Sequence, residues 1–170
     1  MPNQILNMGN FNVAGICHAI SCQWIKQSRQ LGNVTTVQQL GSPAAMFMNW
    51  QLPNNWQGIN RNYHMPFNNV VTRTQLDGQW LAEQCTRING YALIVIWGGG
   101  INVAAGAHAV AGHTLAVRKE AGRIQYFDPN IGTFQFANSM EMYDWIPGDP
   151  NGPYMRYPGL RNRQCEFVKV

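Results

Sequence analysis

The apolar positions of the chain change period partway along it. Between Gly15 and Arg29, Ile16, Ile20 and Trp24 recur at i, i+4 and i+8, with Ala19 on the same stripe, so this stretch is predicted to be a helix packed on a core. Asn12 is a candidate cap for it. Residues 1–12 are Asn-rich and read as an irregular lead-in. Residues 33–60 are expected to hold one or two further helices, with a Gly stop after "TTVQQL" and Pro43 in a first helical turn. "PNNWQGINRNYHMPFNN" reads as loop, and Asp77 to Arg87 as helix. From residue 90 the period falls to that of strands. "YALIVIW", "HTLAVRK", "RIQYFDP", "GTFQF" and "CEFVKV" are each predicted to be extended, with "SMEMYDWI" a short helix capped by Ser139.

Helices first and then an antiparallel sheet define an α+β fold. A chain of 170 residues suits one domain, 1–170, with a helical part over about 13–89 and a sheet part over about 90–170. Charged residues make up only 12%, so a highly charged disordered tail is excluded, and Asn and Gln supply much of the polar surface. The net charge of +4 is scattered and gives no reason to expect nucleic-acid binding. Its loosest cluster, Arg156, Arg161, Arg163 and Lys169, reads first as a solvated face, and is also compatible with an acidic or membrane-proximal partner. The first residues lack the basic and then apolar pattern of a cleaved leader.

Four cysteines, Cys17, Cys22, Cys85 and Cys165, have no metal-ligand spacing, and reduced thiols with no metal or organic cofactor are expected. Cys85 and Cys165 read as structural. Cys17 lies in the first helical turn, where free N–H groups favour a thiolate; Cys22 is a second thiol, placed mid-helix. His18 projects about 100° away from Cys17 around the helix and is a poor base for it. Taken alone, Cys17 reads as a buried core thiol.

The segment "GHTLAVRKEAGRIQYFDPN" alters that reading. A turn over Lys119 to Gly122 gives a hairpin in which Leu115 faces Tyr126, Val117 faces Ile124 and His113 faces Asp128. His113 and Asp128 then share the hairpin's apolar face at the margin of the core. The alternative is that Asp128, preceding Pro129 and Asn130, serves only the turn. Asn12, with Asn10 as second choice, and the Cys17 amide are candidate donors to an oxyanion. His64 and His108 read as structural or surface residues. Gly98 to Gly100 lack the context of a phosphate-binding loop, and Trp50, Trp56, Trp80 and Trp97 read as core.

"GIC" opening a helix with Trp24 following, then "GHTLAV" and "YFDPNIGTFQF", resembles the YopT/AvrPphB family of papain-fold bacterial effector cysteine proteases. The resemblance runs from Asn12 to about Phe136 and is most specific in the His and Asp segments. It implies a papain-like fold, with Cys17 as nucleophile, His113 as general base, Asp128 as the group orienting His113, and Asn12 near the oxyanion hole. It further implies secretion by a non-classical route, action in the host cytosol on a host protein, and a monomer. Two other functions stay open: another papain-type acyl transfer (deamidation, transglutamination or acylation), and a binding or chaperone-like module with an inert thiol.

Overall fold

The computed structural model describes residues 1–9, 11, 16–51, 68–97, 112–158 and 164–170, with the side chains of 51, 68, 69, 97 and 164 excepted. Its elements in order are strand β1 (Asn3–Asn7), helix α1 (Cys17–Leu31), a 3-10 turn (Val37–Leu40), and the short helix α2 (Pro43–Met46), which runs into a π-helical turn (Phe47–Gln51). Strand β2 (Asn68–Arg73), helix α3 (Gly78–Arg87) and strand β3 (Gly90–Trp97) follow. The rest comprises β4 (His113–Glu120), β5 (Arg123–Asp128), β6 (Gly132–Phe136), α4 (Ser139–Gly148), α5 (Pro153–Arg156) and β7 (Gln164–Lys169).

All seven strands join one antiparallel sheet in the order β1-β6-β5-β4-β3-β7-β2. The sheet is therefore not confined to the second half of the chain. β1, expected to be irregular, pairs with β6 through a bulge between Gln4 and Leu6. Its Asn/Gln composition hides a strand whose only deeply buried side chain is Leu6. β2 lines the opposite edge with Val70 and Val71 exposed, and its first two residues end the stretch read as loop. The rest of that stretch, and Gly98 to Gly100, His64, His108 and Trp56, lie outside the described residues.

Both faces of the sheet are covered, so "YALIVIW" reads as a continuous apolar run because both sides of β3 are buried. On one face, Ala19, Ile20, Trp24 and Ile25 of α1 pack with Tyr91, Leu93, Ala116, Phe127 and Val168. On the other, Leu81 and Cys85 of α3 and Met142, Trp145 and Ile146 of α4 pack with Ile94, Leu115, Val117, Tyr126 and Phe167. The expectation of a single apolar face on the hairpin is corrected accordingly.

Helix α1 is held on the sheet at several points along its length. The Trp24 ring stacks on Phe127 at 5.1 Å between centroids, and its Nε1–H donates to Thr133 Oγ1 at 3.0 Å. Near the N-terminal end, Ser21 Oγ donates to the Thr114 carbonyl at 2.9 Å. Beyond the C-terminal end, Arg118 Nη1 donates to the Gly32 carbonyl and Gln125 Nε2 to Asn33 Oδ1. Helix α3 matches its expected span with Asp77 as N-cap, and α4 is capped by Asn138 rather than Ser139.

Gly132, where β6 begins beside β1, has φ +139°, and a Cβ there would lie 1.8 Å from the Leu6 carbonyl oxygen. Gly132→Ala is expected to destabilise the protein by about 3 kcal/mol or more and lower Tm by roughly 6–12 °C. Thermal melts beside Gly148→Ala, where a Cβ meets nothing within 4 Å, check this. Equal melting of the two variants would contradict the close β1–β6 packing.

Candidate active site

Three separate elements meet at one end of the sheet: Cys17 opens α1, His113 opens β4 and Asp128 closes β5. The helix starts two residues later than its apolar stripe suggests. Ile16 takes the N-cap position with no side-chain cap, which corrects the assignment of Asn12 as cap. Asn12 and Asn10 lie outside the described residues, as do the structural surroundings of any oxyanion contact they would make.

The hairpin register differs from the expected one by two residues. Ala121 at φ +48° and Gly122 at φ +74° form a two-residue turn, so Val117 pairs with Tyr126 and Lys119 with Ile124. Extending this register sets Asp128 across from Leu115, two residues along from His113. An even shift preserves the face on which each side chain lies. His113 and Asp128 therefore meet on the diagonal, with Nε2 and Oδ1 3.0 Å apart. His113 is 7% exposed and Asp128 fully buried, deeper than the core margin expected for them.

The turn role considered for Asp128 coexists with the contact to His113. Asp128 Oδ1 accepts from the Asn130 amide at 2.8 Å, and the Asp128 carbonyl accepts from the Ile131 amide at 3.0 Å. The Asp-Pro-Asn turn thus fixes the carboxylate that His113 meets. Tyr157, which no sequence pattern singled out, donates its hydroxyl proton to Asp128 Oδ2 at 2.6 Å. Its oxygen also lies 3.0 Å from His113 Nε2 and accepts from Asn130 Nδ2 at 3.0 Å. It follows α5 on a stretch with no strong periodicity, and only the tertiary fold brings it to the hairpin.

Nε2 is engaged by Asp128, which leaves Nδ1 of His113 for Cys17. Burial alone would push the Cys17 thiol up. The hydrogen bond and charge of His113, with backbone hydrogen bonds at Thr114 and His18, outweigh it and hold the thiol below its ordinary value. Burial likewise opposes charge on His113, but Asp128 and Cys17 together raise its imidazole to about 9. Each group therefore favours the charged form of the other.

The remaining thiols are of a different kind. Cys22 is fully buried, 3.6 Å from His18 Nε2, and burial pushes its thiol far up. Cys85 is raised by burial in the same way, and Cys165 is pushed up to about 12. None of the four is in a disulfide.

A Cys–His–Asp cluster with His113 and Asp128 buried and Cys17 half-buried, set where the first turn of a helix meets an antiparallel sheet, is the arrangement of a papain-like α+β protein. The family model Peptidase_C58, described as Yersinia/Haemophilus virulence surface antigen, matches residues 93–149. That span includes His113 and Asp128 and lies downstream of Cys17. In structure the chain is similar to the Pseudomonas avirulence protein AvrPphB, with a TM-score of 0.55 at 15% sequence identity, over 96% of this chain and 100% of that one. The fold and the family resemblance expected from the sequence are both borne out. No curated protein sequence matches this chain.

Iodoacetamide at pH 6, followed by peptide mapping of the folded protein, is expected to label Cys17 alone. His113→Ala removes the hydrogen bond and the charge that His113 supplies, leaving the backbone hydrogen bonds at Thr114 and His18, and is expected to slow that labelling roughly 10–100-fold. Labelling that starts at Cys22, or is unchanged by the substitution, would contradict the described pairing.

Proposed function

We propose that this protein is a cysteine endopeptidase of bacterial effector type that cuts a specific host protein. The observation that carries the reading is the convergence of Cys17, His113 and Asp128, with the thiol lowered and the imidazole raised. The Peptidase_C58 match and the AvrPphB-like fold support the same chemistry. Cys17 is the nucleophile, His113 the general base and acid, and Asp128 the group that orients the imidazole.

The thiolate of Cys17 attacks the scissile carbonyl carbon, and the carbonyl π pair moves onto oxygen. The Cys17 amide and Asn12 hold that oxyanion. As the intermediate collapses, the Nδ1 proton of His113 passes to the leaving amine and a thioester remains. Neutral His113 then takes a proton from water, the hydroxide adds to the thioester carbonyl and expels the Cys17 thiolate, and the acid product leaves with the ion pair restored.

The protein acts as one papain-like domain over 1–170, a monomer that uses no cofactor. It is secreted by a non-classical route and acts in the host cytosol. A membrane-proximal substrate is compatible with the net charge of +4. Among the described residues, no helix is long and apolar enough to cross a membrane.

Treatment with a papain-type epoxide at pH 6 is expected to give a single adduct on Cys17. Incubation with host-cell lysate is expected to create new protein N-termini that Cys17→Ala does not create. A Cys17 adduct accompanied by deamidation or acyl-group transfer, without new termini, would replace peptidase with another acyl transfer. A folded protein with neither adduct nor product would leave a binding module.

The pH profile of kcat/KM should rise with the Cys17 thiolate, below the ordinary thiol range, and fall as His113 loses its proton near pH 9. Asp128 contributes to the raised imidazole, so Asp128→Asn should bring the alkaline limb down toward the ordinary histidine range. It should also lower kcat by roughly 10²–10⁴-fold. An alkaline limb unmoved by Asp128→Asn would contradict the role given to the carboxylate.

A further inference from the structure

Asp128 carries two oxygens, and the hairpin satisfies only one of them. Oδ1 accepts from the Asn130 amide and faces His113 Nε2. Oδ2, on this fully buried residue, accepts from the Tyr157 hydroxyl at 2.6 Å. A buried carboxylate oxygen without a donor is costly, and a carboxylate held at one oxygen is free to rotate about its C–C bond. Tyr157 removes both problems. Its ring lies beside the imidazole, 4.7 Å between centroids and tilted 48°.

The protons of this cluster balance. The Tyr157 hydroxyl donates its one proton to Oδ2 and accepts from Asn130 Nδ2. With the Nε2 proton directed at Oδ1, the phenol oxygen is a second, weaker acceptor for it at 3.0 Å. Nε2 thus stays protonated through the reaction, and Nδ1 is the position that gains and loses a proton opposite Cys17.

The position of Tyr157 is fixed by packing distant from the chemistry. Its amide donates to the Pro153 carbonyl at 3.3 Å, closing the single turn of α5. Tyr154 of that turn lies against Gly78 of α3, where a Cβ would come within 2.9 Å of its ring. Gly152 lies so close to α4 that a Cβ there would fall 2.6 Å from the Trp145 carbonyl oxygen. These contacts wedge α5 against α3 and α4 and present Tyr157 to the hairpin.

We infer that Tyr157 is a positioning residue of the active site, a fourth member of the Cys17–His113–Asp128 cluster that locks the Asp128 carboxylate and the Nε2-protonated tautomer of His113. This rests on the peptidase reading for its kinetic consequence only. The groups that act on His113 are Cys17 of α1, Asp128 of β5 and the phenol of Tyr157; Tyr126 lies near the Asp128–Tyr157 pair, and Arg156 gives Tyr157 a further side-chain hydrogen bond beside that of Asn130.

The test is Tyr157→Phe, which keeps the ring and removes the hydroxyl, with a thermal melt to establish folding. His113 is followed by NMR titration of its imidazole nitrogens, which needs no substrate. The wild-type imidazole is expected to titrate near 9. In Tyr157→Phe its midpoint should fall, because a carboxylate free to turn couples less to the imidazole. Asn130→Ala, which removes a donor to the phenol oxygen, should shift it the same way by less. With a cleavable substrate, Tyr157→Phe should lower kcat roughly 10–100-fold with KM little changed, the scale of one hydrogen bond to a charged group. An unmoved or raised midpoint in folded Tyr157→Phe overturns the inference. If the wild type titrates as expected but cleaves nothing, the peptidase reading fails, and the titration still decides the role of Tyr157.

Discussion

The docking of α1 across the sheet is the constraint on which the site depends. Cys17 is the first residue of that helix, so its place is set by whatever holds the helix in register. Trp24, stacked on Phe127 and hydrogen-bonded to Thr133, fixes the rotation of the helix over β5 and β6. Ser21, one turn after Cys17, is bonded to the carbonyl of Thr114, the neighbour of His113. A helix that slid along the sheet would break both contacts and separate thiol from imidazole. The core packing and the chemistry are therefore specified by the same residues.

Within the site, burial opposes charge on both Cys17 and His113, and each of the two favours the charged form of the other. Desolvation alone would leave Cys17 a neutral thiol and His113 a neutral imidazole. Together, and with Asp128 behind the imidazole, they reverse that preference. Cys22 is the internal comparison: it lies on the same helix, 3.6 Å from His18 Nε2, but full burial and then the charge of Cys17 push its thiol far up. Proximity of Cys and His is thus insufficient; at Cys17 the hydrogen bond and charge of His113, with two backbone hydrogen bonds, outweigh burial.

Much of this was legible in the sequence. The stripe Ile16, Ile20, Trp24 marked the helix, and the alternating hairpin placed His113 and Asp128 on one face. The register was misjudged by two residues because Ala121 adopts a positive φ that its side chain gives no reason to expect. The face survived the error because strand parity is unchanged by an even shift. β1 and β2 escaped notice because edge strands rich in Asn, or with exposed valines, carry little of the period-2 signal. Tyr157 was beyond the reach of any local pattern, since its partners lie 29 and 44 residues away in the chain.

The central claim is that Cys17 and His113 form a thiolate–imidazolium pair in the resting protein. The direct measurement is the ultraviolet absorbance of the thiolate against pH, taken as the difference between wild type and Cys17→Ser. One thiolate is expected to appear below the ordinary thiol range and to persist upward from there, with Cys22, Cys85 and Cys165 silent. A thiolate that appears only in the ordinary range of a free cysteine would contradict it.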